Sequence, residues 1–202
     1  MAIESYADLQ ASMQKYLKRQ DLAALLPDFI TLAEEYFNDN VFTRARRVSY
    51  VITPMQYTVP LPSDWERVAD VWYDTRQLDF RGPGSDTAYS GANNNPAAYG
   101  IYQIIGNTLA FSARAAQLGA KLQIDYFPTL EPLSDTNVSN WLLEDSPSTY
   151  LYGALKEAAI YIRDDARLQL WQSLRDQAIQ SKIDADTAAK TPMDGPLQIV
   201  AG

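Results

Sequence analysis

Neither cysteine nor histidine occurs in the 202 residues, and these two absences remove much of protein chemistry at the outset. Without Cys there is no disulfide and no thiolate nucleophile, so stability must come from packing, as suits a chain made in a reducing compartment. Without His the usual general base near neutral pH is missing, which leaves carboxylates, Lys, Tyr, Ser and Thr for any catalysis. Positive charge is scarce as well: 17 Lys and Arg stand against 25 Asp and Glu, a formal net charge of -8. Such a chain lacks the cationic footprint that neutralises phosphates, so tight duplex binding by the isolated protein is not expected. No apolar run approaches the length of a membrane span, and Met1 to Gln20 is amphipathic with scattered charges. Neither membrane insertion nor a signal-directed export route is therefore expected. No spacing typical of a metal or cofactor site is present, and none is expected to be bound.

What is present is a chain of helical periodicity at both ends and strand periodicity in the middle. From Tyr150 to Ile162 only Gly153, Lys156 and Glu157 break an apolar run in which Leu151, Ala154, Leu155, Ala158, Ala159 and Ile162 recur at helical spacing. A helix wetted on one narrow strip belongs inside a bundle. Ser146 and Pro147 mark its start, because Pro suits the first helical position, where its missing donor has no partner to lose. A first helix, roughly Tyr6 to Lys18 and capped by Ser5, places Leu9, Met13, Tyr16 and Leu17 on one side. A turn over Asp21 to Leu26 leads to a second helix from about Pro27, with Phe29, Leu32, Ala33, Tyr36 and Phe37 as its stripe. The last helix, about Asp164 to Ala188, carries Leu168, Trp171, Leu174, Ala178, Ile179 and Ile183 against many charges, the pattern of an outer helix. Leu151, Ala154, Leu155, Ala158, Ile162 and Trp171 are the expected bundle core.

Between these ends, Val48 to Ile52, Gln56 to Val59, Val68 to Tyr73, Gln77 to Phe80, Tyr99 to Ile105, Thr108 to Ser112 and Lys121 to Phe127 read as strands separated by turn residues. Gly106-Asn107 marks a two-residue hairpin. The expected fold class is α+β: a helical bundle formed by the N- and C-terminal helices, with an inserted antiparallel β-sheet region. Residues 1–42 supply the first bundle helices, 43–130 the insert, 131–189 the remaining helices and 190–202 an extended tail. Two segments fit neither period. Arg81 to Ala98 is rich in Gly, Asn, Ser and Pro, with Tyr89 as its large anchor beside Asn93, Asn94 and Asn95. The tail follows Pro192 and Gly195-Pro196, which forbid a continued helix, and its Leu197, Ile199 and Val200 suit strand addition to a partner's edge.

The central segment, NWLLEDSPSTYLYGALKEAAIYIRDD at Asn140 to Asp165, also carries a family likeness. Its order of NWLL, an acidic residue, a Pro and then YLYGALxEAA resembles the adaptor, or head-to-tail connector, proteins of tailed bacteriophages. YADLQASMQKYLKRQDLAALLPDFITLAEEYFN at Tyr6 to Asn38 is similar to the paired N-terminal helices of that family, and the likeness continues in LPSDWERVADVW at Leu61 to Trp72 and QIDYFPTLEPLSD at Gln123 to Asp135. The resemblance implies a structural virion protein at the portal vertex, without enzymatic activity, made in the host cytoplasm. It implies a ring of about twelve copies that binds the portal protein above and a tail or nozzle protein below. DNA would pass through that ring without specific binding, and lumen-facing carboxylates would repel it only within about 8 Å at physiological salt. On the same resemblance, Leu197, Ile199 and Val200 are expected to dock on the portal or a neighbouring copy, and the Tyr89 loop on the next subunit or a tail component.

Two other readings stay open on the residues themselves. A tail-associated peptidoglycan hydrolase would need a carboxylate pair. The acidic clusters Glu34-Glu35, Glu144-Asp145, Asp164-Asp165 and Asp184/Asp186 have plain explanations as helix-end or solvated charges. A nucleic-acid-binding accessory protein would draw on Arg44, Arg46 and Arg47, which read instead as a solvent-facing strand edge. Trp65, Trp72, Trp141 and Trp171 lie beside apolar neighbours and so indicate packing rather than base or sugar stacking.

Overall fold

The computed structural model describes residues 3–82, 100–112 and 119–190. The fold is α+β, and the chain divides into two compact units, Met1–Ala45 with Leu130–Gly202, and Arg46–Thr129. Among the described residues the first unit has five α-helices: α1 (Tyr6–Leu17), α2 (Leu26–Asn40), α3 (Trp141–Asp145), α4 (Pro147–Ile162) and α5 (Asp165–Lys190). Local chemistry sets most of their ends. The Ser5 hydroxyl accepts the Asp8 backbone N–H at 3.2 Å, and Lys18 closes α1 in the left-handed region at φ 52°. Asn140 caps α3 by accepting the Leu143 N–H at 3.0 Å, and Asp164 accepts the Arg167 N–H at 3.1 Å at the head of α5. Pro147 opens α4 as its first residue, and Arg163, at φ 57°, ends it. Ser146 precedes it without a side-chain bond to a backbone N–H; its hydroxyl meets the Thr149 hydroxyl at 2.8 Å. The turn between α1 and α2 is itself a short 3-10 helix, Gln20–Leu25.

α4 is the spine of this unit and packs against α1, α2, α3 and α5. Tyr150, Ala154, Leu155 and Ala158 are fully buried, with Leu151 and Ala159 nearly so. At its C-terminal end the covering thins: Ile162 is only partly buried, and Ile160 and Tyr161 are exposed. Trp171 of α5 lies buried between Tyr152, stacked at 6.0 Å, and Tyr16, edge-on at 5.6 Å. Two expected stripe residues face water instead. Tyr16 and Leu32 are each 47% exposed, while Ile30 takes the buried place on α2. A stripe of fixed spacing cannot tell the row that meets α4 from the adjacent row, since both are apolar.

Among the described residues the second unit holds two four-stranded sheets rather than one. The first contains β1 (Val48–Ile52), β3 (Trp65–Tyr73), β4 (Arg76–Gln77) and β8 (Leu122–Pro128), in the order β1-β8-β3-β4, all antiparallel. The second contains β2 (Thr58–Pro60), β5 (Asp79–Phe80), β6 (Ile101–Ile105) and β7 (Thr108–Phe111), in the order β2-β7-β6-β5. β5 and β6 run parallel, an exception to the antiparallel expectation. The run Gln77 to Phe80 is split because the chain changes sheets there: Leu78 is buried, and its N–H bonds back to the Val71 carbonyl at 2.8 Å. The hairpin at Gly106-Asn107 is present, with Gly106 at φ 59°, a conformation that L side chains seldom adopt. Val71, Tyr73, Leu122 and Ile124 from one sheet and Val59, Tyr102, Leu109 and Phe111 from the other form one buried cluster.

Candidate interaction surfaces

Inside the bundle unit, one polar network is enclosed by apolar helices. Tyr150 donates its hydroxyl to Glu34 Oε1 at 3.1 Å, and the Leu133 backbone N–H donates to the same oxygen at 2.8 Å. Asn140 Nδ2 donates to the Tyr150 oxygen at 2.6 Å and to the Glu131 carbonyl at 2.7 Å. The network thereby ties α2, α4 and the loop before α3 together, and Asn38 adds a bond to the Leu130 N–H at 2.6 Å. Burial raises the Glu34 carboxyl above its ordinary range, partly opposed by its bonds from Leu133 and Tyr150. Tyr150 is raised by burial first and by the adjacent Glu34 charge second. Glu34 is thus no solvated charge, although Glu35 beside it is exposed.

The basic cluster also turns inward in part. Arg46 is 2% exposed and donates Nε to the Pro128 carbonyl at 2.6 Å. Arg47 bridges Asp125 at 2.5 Å and Asp70 at 2.7 Å on one face of the first sheet. Ser49 and Gln123 add bonds to Asp125 at 2.6 and 2.9 Å. Burial works to raise Asp125, but these donors and the Arg47 charge outweigh it and hold the carboxyl below its usual range. With its charge matched within the sheet, Arg47 is poorly placed to seek a phosphate. The registers explain the convergence: Asp125 stands opposite both Ser49 of β1 and Asp70 of β3.

The remaining acidic clusters are similarly engaged. Asp145 pairs with Lys182 at 3.0 Å, and Ser139 donates to Glu144 at 3.1 Å. Asp186 is buried at the edge of a small cleft that Thr43, Asp145 and Lys182 also line, contrary to the solvated reading. No group of three metal-ligating side chains occurs among the described residues. Trp65, Trp72 and Trp141 are each partly covered. Arg175 escaped sequence reading: it is buried on α5, with its guanidinium 3.8 Å from the centre of the Tyr36 ring.

Apolar side chains left in water mark surfaces available for contact. In the bundle unit they are Tyr16, Leu32, Val138, Ile160, Tyr161 and Leu170; in the sheet unit, Val48, Tyr50, Val51, Met55, Phe80 and Ile105. Val48 and Tyr50 belong to the expected strand, and β1 lies at a sheet edge with its side chains largely uncovered. Tyr89, Asn93, Asn94, Asn95, Leu197, Ile199 and Val200 lie outside the described residues, as does Tyr99 at the start of one expected strand. No described helix is long and apolar enough to cross a membrane.

Compared with known proteins, residues 5–198 match the family model described as SU10 adaptor protein. Among curated proteins, none matches the chain.

Proposed function

This chain belongs to the SU10 adaptor protein family, a phage head-tail adaptor family, and from that premise we propose that it joins the portal to the tail and extends the DNA channel. The observation that carries the reading is the extent of the match, which takes in both units and reaches into the C-terminal tail. In this reading copies of the chain form a ring, about twelve in number, against the portal protein, and a tail or nozzle protein binds the ring's lower surface. Each contact is modest, and multivalency makes the assembled collar far tighter than any one of them. The buried row of α4, Tyr150, Ala154, Leu155 and Ala158, supports this, because a rigid block can pass load and register from neighbour to neighbour. The excess of 25 acidic over 17 basic residues suits a channel wall that DNA slides past without being held. The function is geometric and has no catalytic step. Electron microscopy of the purified protein mixed with portal rings tests it. A collar bearing the portal's symmetry at one end of the portal is expected, and free adaptor beside bare portals would overturn the reading.

A further inference from the structure

The four sheet edges of the second unit are not treated alike. β4 is two residues long and carries Arg76, β5 is two residues long and opens with Asp79, and β2 is three residues long and closes with Pro60. Shortness, charge and proline are the devices by which proteins keep sheet edges from pairing with another chain. β1 uses none of them: VSYVI is five residues long, uncharged and free of proline. Its ladder with β8 runs from Val48 to Ile52 without a register shift, whereas β3, on the other side of β8, is bulged twice. The nearest cation, Arg47, is committed across the sheet to Asp70 and Asp125. Among the described residues β1 pairs with β8 alone, so its second edge has no strand beside it. Val48, Tyr50 and Val51 there are 41%, 37% and 51% exposed.

The side chains specify what would complete it. Val48, Tyr50 and Ile52 stand in register with Tyr126, Ile124 and Leu122, so they continue the apolar face of the sheet beyond its covered part. Ser49 and Val51 occupy the other face. A matching strand therefore needs large apolar residues at alternate positions, with one polar and one apolar residue between them. Of the stretches outside the described residues, 83–99 and 113–118 contain no Val or Ile, whereas the C-terminal stretch reads Leu197-Gln198-Ile199-Val200. In either strand direction Leu197 and Ile199 can share the face of Val48, Tyr50 and Ile52, leaving Gln198 and Val200 beside Ser49 and Val51. Thr191 to Pro196, extended, reaches roughly 20 Å beyond α5, and Leu197 to Gly202 is long enough to run the length of β1.

We infer that the free edge of β1 receives the C-terminal segment of a neighbouring copy as an added strand. The inference rests on the ring reading, to which it adds one contact between neighbouring copies. Pairing β1 with β1 would be two-fold and close a dimer, whereas tail onto β1 is head-to-tail and can be repeated around a ring. The contact supplies main-chain hydrogen bonds together with burial of the exposed β1 row.

The lack of cysteine makes the test unambiguous. Protein carrying Val51→Cys is mixed with protein carrying Gln198→Cys, assembled on portal rings, and treated with a short bismaleimide. Both positions are exposed or terminal, so neither change should disturb folding. The expected product is a mixed dimer on a denaturing gel, whose yield falls to background when Val48→Lys is added to the first partner to charge the edge. Collars that form on portals without any product linking two chains would overturn the inference and leave the ring standing. A product formed only within single chains, in the double variant, would assign β1 to the chain's own tail and equally overturn it. Failure to form a collar at all would remove the ring reading, and the inference with it.

Discussion

Glu34 is a carboxylate enclosed by apolar helices whose oxygen accepts two hydrogen bonds, one from Tyr150 and one from the Leu133 backbone. Removing it should therefore cost more than removing an exposed acid. Glu34→Ala leaves both donors without an acceptor and is expected to lower stability by about 1 to 3 kcal/mol, measurable by urea unfolding. Glu34→Gln keeps an oxygen for those donors and removes the charge. Because burial raises the folded carboxyl above its unfolded value, folding favours the neutral form more than the unfolded chain does. That stabilisation is complete below the unfolded value, about 4.3, and disappears as pH rises through the higher folded value. Unfolding free energy of the natural chain relative to Glu34→Gln should accordingly fall with rising pH across that window. A difference that stays flat would show that the carboxyl is not buried in solution.

At the scale of the element, α4 depends on close approach as much as on apolar content. A Cβ added at Gly153 would lie 2.5 Å from Phe37 Cζ and 3.3 Å from Ala33 Cβ. Phe37 cannot swing away cheaply, since it is 1% exposed and packed edge-on against Tyr150 at 5.2 Å. Gly153→Ala would gain up to about 1 kcal/mol of helix propensity on an isolated helix. Here overpacking of about 1 to 3 kcal/mol should outweigh that gain, so the melting temperature is expected to drop rather than rise. Two residues further on, Leu155 is fully buried, and Leu155→Ala should cost about 2 to 5 kcal/mol through lost burial and the cavity left behind. A cost near zero would place this helix at the surface.

For the whole molecule, contacts between copies matter as much as the cores within each. Every helix of the first unit that borders α4 helps enclose it, yet the C-terminal segment Leu197 to Gly202 lies beyond α5 and outside the described residues. Deleting it should leave far-ultraviolet circular dichroism and thermal unfolding unchanged while reducing the amount that co-sediments with portal rings. In a ring, one weakened contact is repeated at every copy, so a small loss per subunit multiplies into a large loss of attachment. Equal co-sedimentation by the truncated chain would remove the tail from the assembly contacts.

The amino-acid sequence alone determined the class of fold and the order of its elements, because helix and strand periods, caps and turns are written in neighbouring residues. Ser5, Asn140 and Asp164 act on backbone groups within three residues of themselves, and Gly106 turns a hairpin between adjacent strands. Such effects are legible without knowing what packs where. The family likeness was legible for the same reason, as a series of landmarks in fixed order. Decisions between distant residues were not. Glu34 and Tyr150 are separated by 116 positions and Arg47 and Asp125 by 78, so whether a charge meets water or a partner depended on which surfaces closed over it. Tyr16 and Leu32 have the spacing of core residues and are left outside because α4 covers a neighbouring row. Only tertiary packing could also divide the strands between two sheets and leave β1 at an edge, since pairing order is a contest among strands far apart in the chain.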